Sequence, residues 1–158
     1  MMAEASKIAP EHLENLLKSD PFTPNQERLG IADSILDNYY MAATLYLQEK
    51  QWDAARDCFT FLVFLNPYFY HFWLGLGIAL QSMSLYEEAF VSYALAGALD
   101  PEDPSSFANA VQCAIALNDK DLAAYVHQKA VACCANKAEH AALKRSLNSY
   151  KEKVDAGE

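Results

Sequence analysis

The residues best suited to chemistry in this sequence are four cysteines and four histidines. The cysteines, no two of them in a C-x-x-C pair, are Cys58, Cys113, Cys133 and Cys134. The histidines, which fall in separate segments without an H-E-x-x-H motif, are His12, His71, His127 and His140. A zinc site needs four ligands that converge, and this spacing provides no template for one. We therefore predict no metal and no cofactor, and we expect the cysteines to be buried free thiols in a reducing compartment.

Two further patterns resemble catalytic motifs but fit helices better. Gly75-x-Gly77 lacks the preceding strand that a dinucleotide site requires. Glu87-Glu88 lies where a helix is expected to begin, and carboxylates favour the helix dipole there. The sequence contains no G-x-S-x-G motif and no phosphate-binding glycine loop. No catalytic constellation can be assembled, so the protein is predicted not to be an enzyme.

Charge and composition narrow the class of partner. The 158 residues include 12 basic and 21 acidic side chains, a formal charge of -9. This balance argues against binding to nucleic acid or to an anionic membrane surface, which both require clustered cations. The first residues resemble no signal peptide, and the longest apolar stretch, Phe59 to Leu65, is far shorter than a membrane span. We therefore expect a cytoplasmic protein that binds another protein.

Alanine and proline residues recur every 34 residues, which indicates a helical repeat. Ala55, Ala89 and Ala123 are spaced by 34 residues, as are Pro67 and Pro101. This period is that of the tetratricopeptide (TPR) repeat, a helix-turn-helix unit. An ordinary helical bundle with coincidental spacing is the alternative.

The middle segment carries the repeat pattern most completely. It reads Trp73-x-x-Leu76-Gly77, then Ala89-x-x-x-Tyr93, then Pro101. That order resembles the TPR pattern nearly position by position. The predicted fold is all-α, with three tandem TPRs in a superhelical solenoid. The repeats are expected at residues 36–69, 70–103 and 104–137, with small residues where helices approach closely and each X-Pro ending a helix.

Helical segments are predicted on both sides of the repeats. Residues 1–35 form an N-terminal helical arm in which Leu13, Leu16 and Leu17 share one helix face. Thr23-Pro24-Asn25-Gln26 resembles a capping box with proline at the first helical position, so a helix is expected there, with Gly30 as a bend. Residues 138–158 are predicted to be an amphipathic capping helix and a frayed tail.

Taken together, these features resemble a specific family. The stretches Trp73-Leu74-Gly75-Leu76-Gly77, Tyr86-Glu87-Glu88-Ala89 and Ser92-Tyr93-Ala94 are similar to segments of the class II chaperones of bacterial type III secretion, the SycD/LcrH/IpgC group. The resemblance covers roughly residues 35–135. It implies a bacterial cytosolic chaperone, connected with virulence, that binds an extended segment of a secreted client and keeps it soluble and competent for export. It also implies homodimers in the absence of client, for which Leu13, Leu16 and Leu17 are candidates.

The repeat register predicts which residues would line a concave groove for the client. The first helix of each repeat faces that groove, and the predicted client-binding residues are Tyr40, Thr44, Leu47, His71, Leu74, Ile78, Gln81, Ala108 and Gln112. None of them is a cation, which argues against a clamp for a C-terminal carboxylate and favours apolar anchors of an extended peptide.

The client itself is left open by the sequence. Thr44 and Leu47 stand where the family usually carries aromatic residues, so the client could be a translocator, a gatekeeper or an effector. The alternative function is a general TPR scaffold that joins folded subunits of an assembly.

Overall fold

The computed structural model describes residues 22–134 and the positions 141, 145, 148–149 and 151–152. These residues form helices and turns, with no strand among them. In chain order the continuous helices are α1 (Asn25–Arg28), α2 (Asp33–Gln48), α3 (Trp52–Leu65), α4 (Tyr70–Ser82), α5 (Tyr86–Leu99), α6 (Pro104–Ala116) and α7 (Lys120–Cys134). The predicted arm up to residue 21, with Leu13, Leu16 and Leu17, lies outside the described residues, as does most of the predicted segment 138–158.

The helices stack in chain order. Each of α2 to α7 packs extensively against the helix before or after it, α2 also contacts α4, and α1 contacts α3. Nearest-neighbour packing of this kind is typical of solenoids, in which each unit buries its apolar face only against the next. The all-α prediction is confirmed. The structure shows three successive helix pairs in the described part of the chain, and their division into three TPRs stays a prediction.

The turn inside each helix pair has the same backbone geometry. Lys50, Ser84 and Asn118 adopt positive φ angles of 59°, 62° and 57°. In the second pair, the amide of Ser84 donates to the carbonyl of Gln81, and the amide of Leu85 donates to that of Leu80. Equivalent bonds close the other two turns. This is the Schellman arrangement, built three times without the glycine that usually occupies the left-handed position.

The turns between pairs depend on proline. Asn66 and Asp100 are extended, with φ of -144° and -131°, and they end α3 and α5 directly before Pro67 and Pro101. A residue before proline avoids the helical region, so this prediction is confirmed and has a steric cause. Trp73 then donates its indole N–H to the carbonyl of Pro67 at 2.7 Å, which ties α4 to the turn before it.

Two glycines let α4 approach its neighbours closely. A Cβ at Gly75 would lie 2.2 Å from the ring of Phe59 in α3, and one at Gly77 would lie 2.6 Å from the ring of Tyr93 in α5. Phe59 and Tyr93 are almost completely buried. The prediction that small residues mark close helix approach is therefore confirmed for this helix.

The start of the described chain differs from the capping-box prediction. The helix begins at Asn25, one residue later than expected, because Pro24 is the N-cap and not the first helical residue, and no side-chain hydrogen bond caps the helix. Asn25 instead donates its side-chain amide to the carbonyl of Phe64 at 2.7 Å, which joins α1 to the end of α3. Gly30, with φ of 66°, ends the short helix, so α1 and α2 are separate elements.

Candidate functional site

We call the side of α2, α4 and α6 that carries the predicted client-binding residues the groove face. Along each helix these residues recur every three or four positions, which places them on one side. Most are half-buried, whereas His71 is exposed and Ala108, only 6% exposed, contributes little surface. The half-buried members are Tyr40, Thr44, Leu47, Leu74, Ile78, Gln81 and Gln112.

The middle of the groove face is apolar. Leu47, Leu74, Ile78 and Ile115 pack against the core while keeping part of their surface accessible. Thr44 bonds its hydroxyl to the carbonyl of Met41 at 2.8 Å, so its polar group is already satisfied within the helix. A surface of this kind can bury apolar side chains of a bound segment.

One end of the groove face is held by hydrogen bonds between amides, and we call it the glutamine end. The hydroxyl of Tyr93 donates to Oε1 of Gln81 at 2.6 Å, and Nε2 of Gln81 donates to Oε1 of Gln112 at 3.1 Å. Burial raises the pKa of Tyr93 above its usual range, so its hydroxyl stays a donor at neutral pH. Nε2 of Gln112 has no hydrogen-bond partner among the described residues and can donate to a bound backbone carbonyl.

The other end of the groove face opens into a cavity of about 540 Å³, which we call the acidic pocket. Its aromatic wall contains Tyr40, Phe69 and Phe72, and its carboxylates are Glu27, Asp33 and Asp37. Leu36, Gln26, Asn66 and His71 complete the lining. The pocket therefore combines an apolar wall with negative charge.

The aromatic wall is held in place by ring contacts. The ring centroid of Tyr40 lies 5.7 Å from that of Phe72, 6.1 Å from that of Phe59 and 6.4 Å from that of His71. Phe69 stacks on Phe72 with centroids 5.1 Å apart. Tyr40 and His71 thus belong to both the groove face and the pocket.

The sequence did not predict that α1 would contribute to this pocket. Gln26 is 5% exposed, donates to the carboxylate of Asp33 and accepts from the side-chain amide of Asn66 at 3.4 Å. These bonds place α1 and its Glu27 at the groove face. Glu27 precedes the predicted repeats and Phe69 is the N-cap residue before α4, so neither belongs to the periodic positions predicted for the groove.

The thiols show no sign of a reactive centre. Cys113 is buried as predicted, and burial raises its pKa to about 11, so it stays protonated at neutral pH. Cys58 and Cys133 are half-buried and form no disulfide, so the prediction of full burial is wrong for these two. Among the described residues no group of three His, Cys, Asp or Glu side chains could hold a metal ion.

Stacked helix pairs with an apolar face and a pocket at one end define the class of helical-repeat proteins that bind peptides. No protein-family model and no curated protein matches this chain. Several solved structures, in contrast, are similar to this chain. PcrH of Pseudomonas aeruginosa, solved with the chaperone binding region of PopD, is 31% identical over 80% of this chain and 96% of that chain, with a TM-score of 0.76.

The type III secretion chaperone SycD of Yersinia enterocolitica, in complex with a peptide of the translocator YopD, is 27% identical over 80% of this chain and 97% of that one, with a TM-score of 0.76. The CopN-Scc3 complex shares the fold, with 23% identity over 89% of this chain and 86% of that chain and a TM-score of 0.79. The chain belongs to the class II translocator chaperones of type III secretion. It is a chaperone and not an enzyme.

Proposed function

We propose that this protein binds an extended segment of a secreted client on its groove face and keeps that client soluble and competent for export. The client would be a translocator, a gatekeeper or an effector, held in the bacterial cytoplasm before secretion. The observation that carries this proposal is the half-buried apolar strip Leu47, Leu74 and Ile78 between two polar ends. Such a strip accepts alternate side chains of an extended peptide, while the free amide of Gln112 can bond its backbone.

Two related structures support the proposal. PcrH was solved with the chaperone binding region of PopD, and SycD with a peptide of YopD. Among the described residues no helix is long and apolar enough to cross a membrane.

Co-expression with each protein encoded by neighbouring genes tests the proposal. We expect one partner that is insoluble alone to become soluble and to co-purify at fixed stoichiometry. Ile78→Glu should abolish this rescue because it places a charge in the apolar strip, with a loss of affinity of at least about tenfold. Val91→Glu is the matched control, since Val91 is an exposed apolar residue of α5. Rescue that survives Ile78→Glu in a folded variant would contradict groove binding.

The same experiment separates a chaperone from a scaffold. A scaffold would bind partners that are already folded and soluble, and their solubility would not change when this protein is omitted. Mass spectrometry of the co-purified material, combined with the soluble fraction of each partner expressed alone, distinguishes the two functions.

We also infer a homodimer in the absence of client. One SycD structure is described as an alternative dimer. In this chain, Ile35, Tyr39 and Phe64 are large apolar side chains that remain exposed on the first helix pair, and the ring of Tyr39 lies 4.9 Å from that of Phe61 in a tilted arrangement. The predicted arm with Leu13, Leu16 and Leu17 is the other candidate surface. Light scattering should show a dimer that Ile35→Glu or deletion of residues 1–20 reduces to a monomer, and an unchanged mass in both would exclude these surfaces.

A further inference from the structure

We propose that the acidic pocket receives a lysine or arginine side chain of the bound client and thereby sets which segment of the client is selected. This inference rests on the proposed function, because it assigns a specificity to one end of the same groove face. The observations that carry it are the size of the cavity, the aromatic wall and the sign of the charge around it.

The cavity is large enough to admit a long side chain. Its volume of about 540 Å³ lies within the range of pockets that hold small ligands. Phe72 is buried and packs against Phe69, which remains 53% exposed at the pocket. An apolar ring left in solvent beside a cavity can cover the aliphatic stem of a long side chain.

The charge of the pocket is negative and partly uncompensated. Three carboxylates line it, and none of the lining residues is a lysine or arginine. Asp33 is held by Gln26, but Glu27 and Asp37 have neither a hydrogen bond nor an ion pair with any described side chain. Two carboxylates that pair with no described side chain, next to aromatic faces, provide both an ion-pair partner and a cation–π surface for a guanidinium or ammonium group.

A basic side chain fits this combination better than the other occupants. A purely apolar anchor would leave Glu27 and Asp37 facing it, and an acidic side chain would be repelled by them. A bare metal ion requires converging ligands, and no described group of three acidic, histidine or cysteine side chains provides them. A lysine or arginine supplies a long apolar stem for the rings and a cation for the carboxylates.

The pocket is continuous with the apolar strip. Tyr40 and His71 line the pocket and also belong to the groove face, one helix turn before Thr44 and Leu74 respectively. An extended segment on the strip can therefore direct one side chain into the pocket while its apolar anchors stay on Leu74 and Ile78. The proposal predicts a basic residue at a fixed spacing from those anchors.

Panning a phage-displayed library of random 12-residue peptides tests this prediction directly. The proteins compared are the wild type, Glu27→Gln/Asp37→Asn, the matched control Glu87→Gln/Glu88→Gln, and Ile78→Glu. Both double variants remove two exposed carboxylates, but Glu87 and Glu88 lie in the first turn of α5, outside the pocket. Circular dichroism and thermal melting check that each variant is folded.

We expect the wild type and the control to enrich peptides with Lys or Arg at one spacing from apolar residues, and Glu27→Gln/Asp37→Asn to keep the apolar residues without that preference. A selected peptide is then synthesised with its basic residue and with glutamine there. Fluorescence anisotropy then compares the two peptides on each protein. On the wild type, the glutamine peptide should bind about five- to tenfold more weakly than the basic peptide. On Glu27→Gln/Asp37→Asn, the two peptides should differ in affinity by less than about twofold.

The outcomes separate this inference from the proposed function. If peptides are enriched and Ile78→Glu abolishes their binding, but no basic residue is preferred, this inference is overturned and groove binding stands. A basic preference that persists in Glu27→Gln/Asp37→Asn also overturns it. If the wild type enriches no peptide, or if Ile78→Glu binds the selected peptides equally well, both the inference and the proposed function fail.

Discussion

The two ends of the groove face are built on opposite principles. At the glutamine end, buried Tyr93 fixes Gln81, and Gln81 fixes Gln112, so the polar atoms are oriented before any ligand arrives. At the acidic pocket, Glu27 and Asp37 have no partner among the described side chains, and space remains between them and the rings. Fixed amides suit the backbone of a peptide, which is the same in every sequence. The negative charge and open volume of the acidic pocket suit a basic side chain, which only some sequences supply.

A single helix connects these ends. His71 begins the groove-face residues of α4 and Gln81 ends them, ten residues later. A helical rise of about 1.5 Å per residue separates them by roughly 15 Å, the length of about four to five extended residues. A short client segment can therefore contact both ends at once, provided that α4 keeps its position between α3 and α5.

Displacing α4 should have the largest effect on stability, because α4 contributes to both the glutamine end and the acidic pocket. A Cβ at Gly75 would clash with the ring of Phe59, so Gly75→Ala should lower the free energy of unfolding by about 2–4 kcal/mol. Urea denaturation followed by circular dichroism measures the change. Gly75→Ala/Phe59→Leu makes room for the methyl group and should recover part of the loss. Equal stability of Gly75→Ala and the wild type would show that the helices do not approach this closely.

Removing one hydroxyl should affect the glutamine end alone. Tyr93→Phe leaves Oε1 of Gln81 without its donor, so we expect a loss of stability of about 1–2 kcal/mol. Peptides should bind this variant more weakly while keeping any preference set at the acidic pocket. Tyr86→Phe is the matched control, because the hydroxyl of Tyr86 makes only a long contact of 3.5 Å with Ser84. Similar losses in both variants would exclude the special role of Tyr93.

Alkaline pH should act at both ends of α4, because each end has groups whose pKa is raised by burial. Burial raises the pKa of Cys113 from 9.0 to about 11 and raises the pKa of Tyr93 above its usual range. At the other end of α4, burial and the hydrogen bond to Asp103 raise the pKa of Tyr70 in the same direction.

A raised pKa means that the folded state holds its proton longer than the unfolded state does. The stability that depends on these groups is therefore complete below about pH 9 and is lost as the pH rises. We expect a loss of roughly 1 kcal/mol between pH 8 and pH 10 in urea denaturation. Cys113→Ala should have a flatter pH profile in this range, and an identical profile would contradict the contribution of the thiol.

The smallest expected effect is a gain at the turn beyond the glutamine end. Ser84 adopts a φ of 62°, which glycine tolerates without the clash of a Cβ. Ser84→Gly should therefore raise the free energy of unfolding by about 0.5–1 kcal/mol and leave the acidic pocket unchanged. Ser82→Gly, inside α4, is the control and should instead destabilise the protein. If Ser84→Gly lowered stability, the side chain of Ser84 would have to contribute more than its strain costs.

Local rules explain how much of the fold could be predicted. Pro67 and Pro101 end helices because of a steric clash with the preceding residue, and Gly75 and Gly77 mark close approach because they lack a Cβ. The effect of proline acts on the residue directly before it, and Gly77 is part of the repeat motif, so the sequence predicted both, whereas the contact of Gly75 with Phe59 appears only in the structure. The capping box at Thr23 does not form, and α1 is joined instead to Phe64 by the side chain of Asn25, a contact between residues far apart in the chain.

The amino-acid sequence by itself determined the helical class, the 34-residue period and the side of each helix on which a client is expected. These features follow from local sterics and from the spacing of apolar residues. The tertiary structure decided how the two ends of the groove face differ. It placed α1 in the lining of the acidic pocket and joined Tyr93 to Gln81 and Gln81 to Gln112, because hydrogen bonds and cavities depend on distances between residues that no period relates.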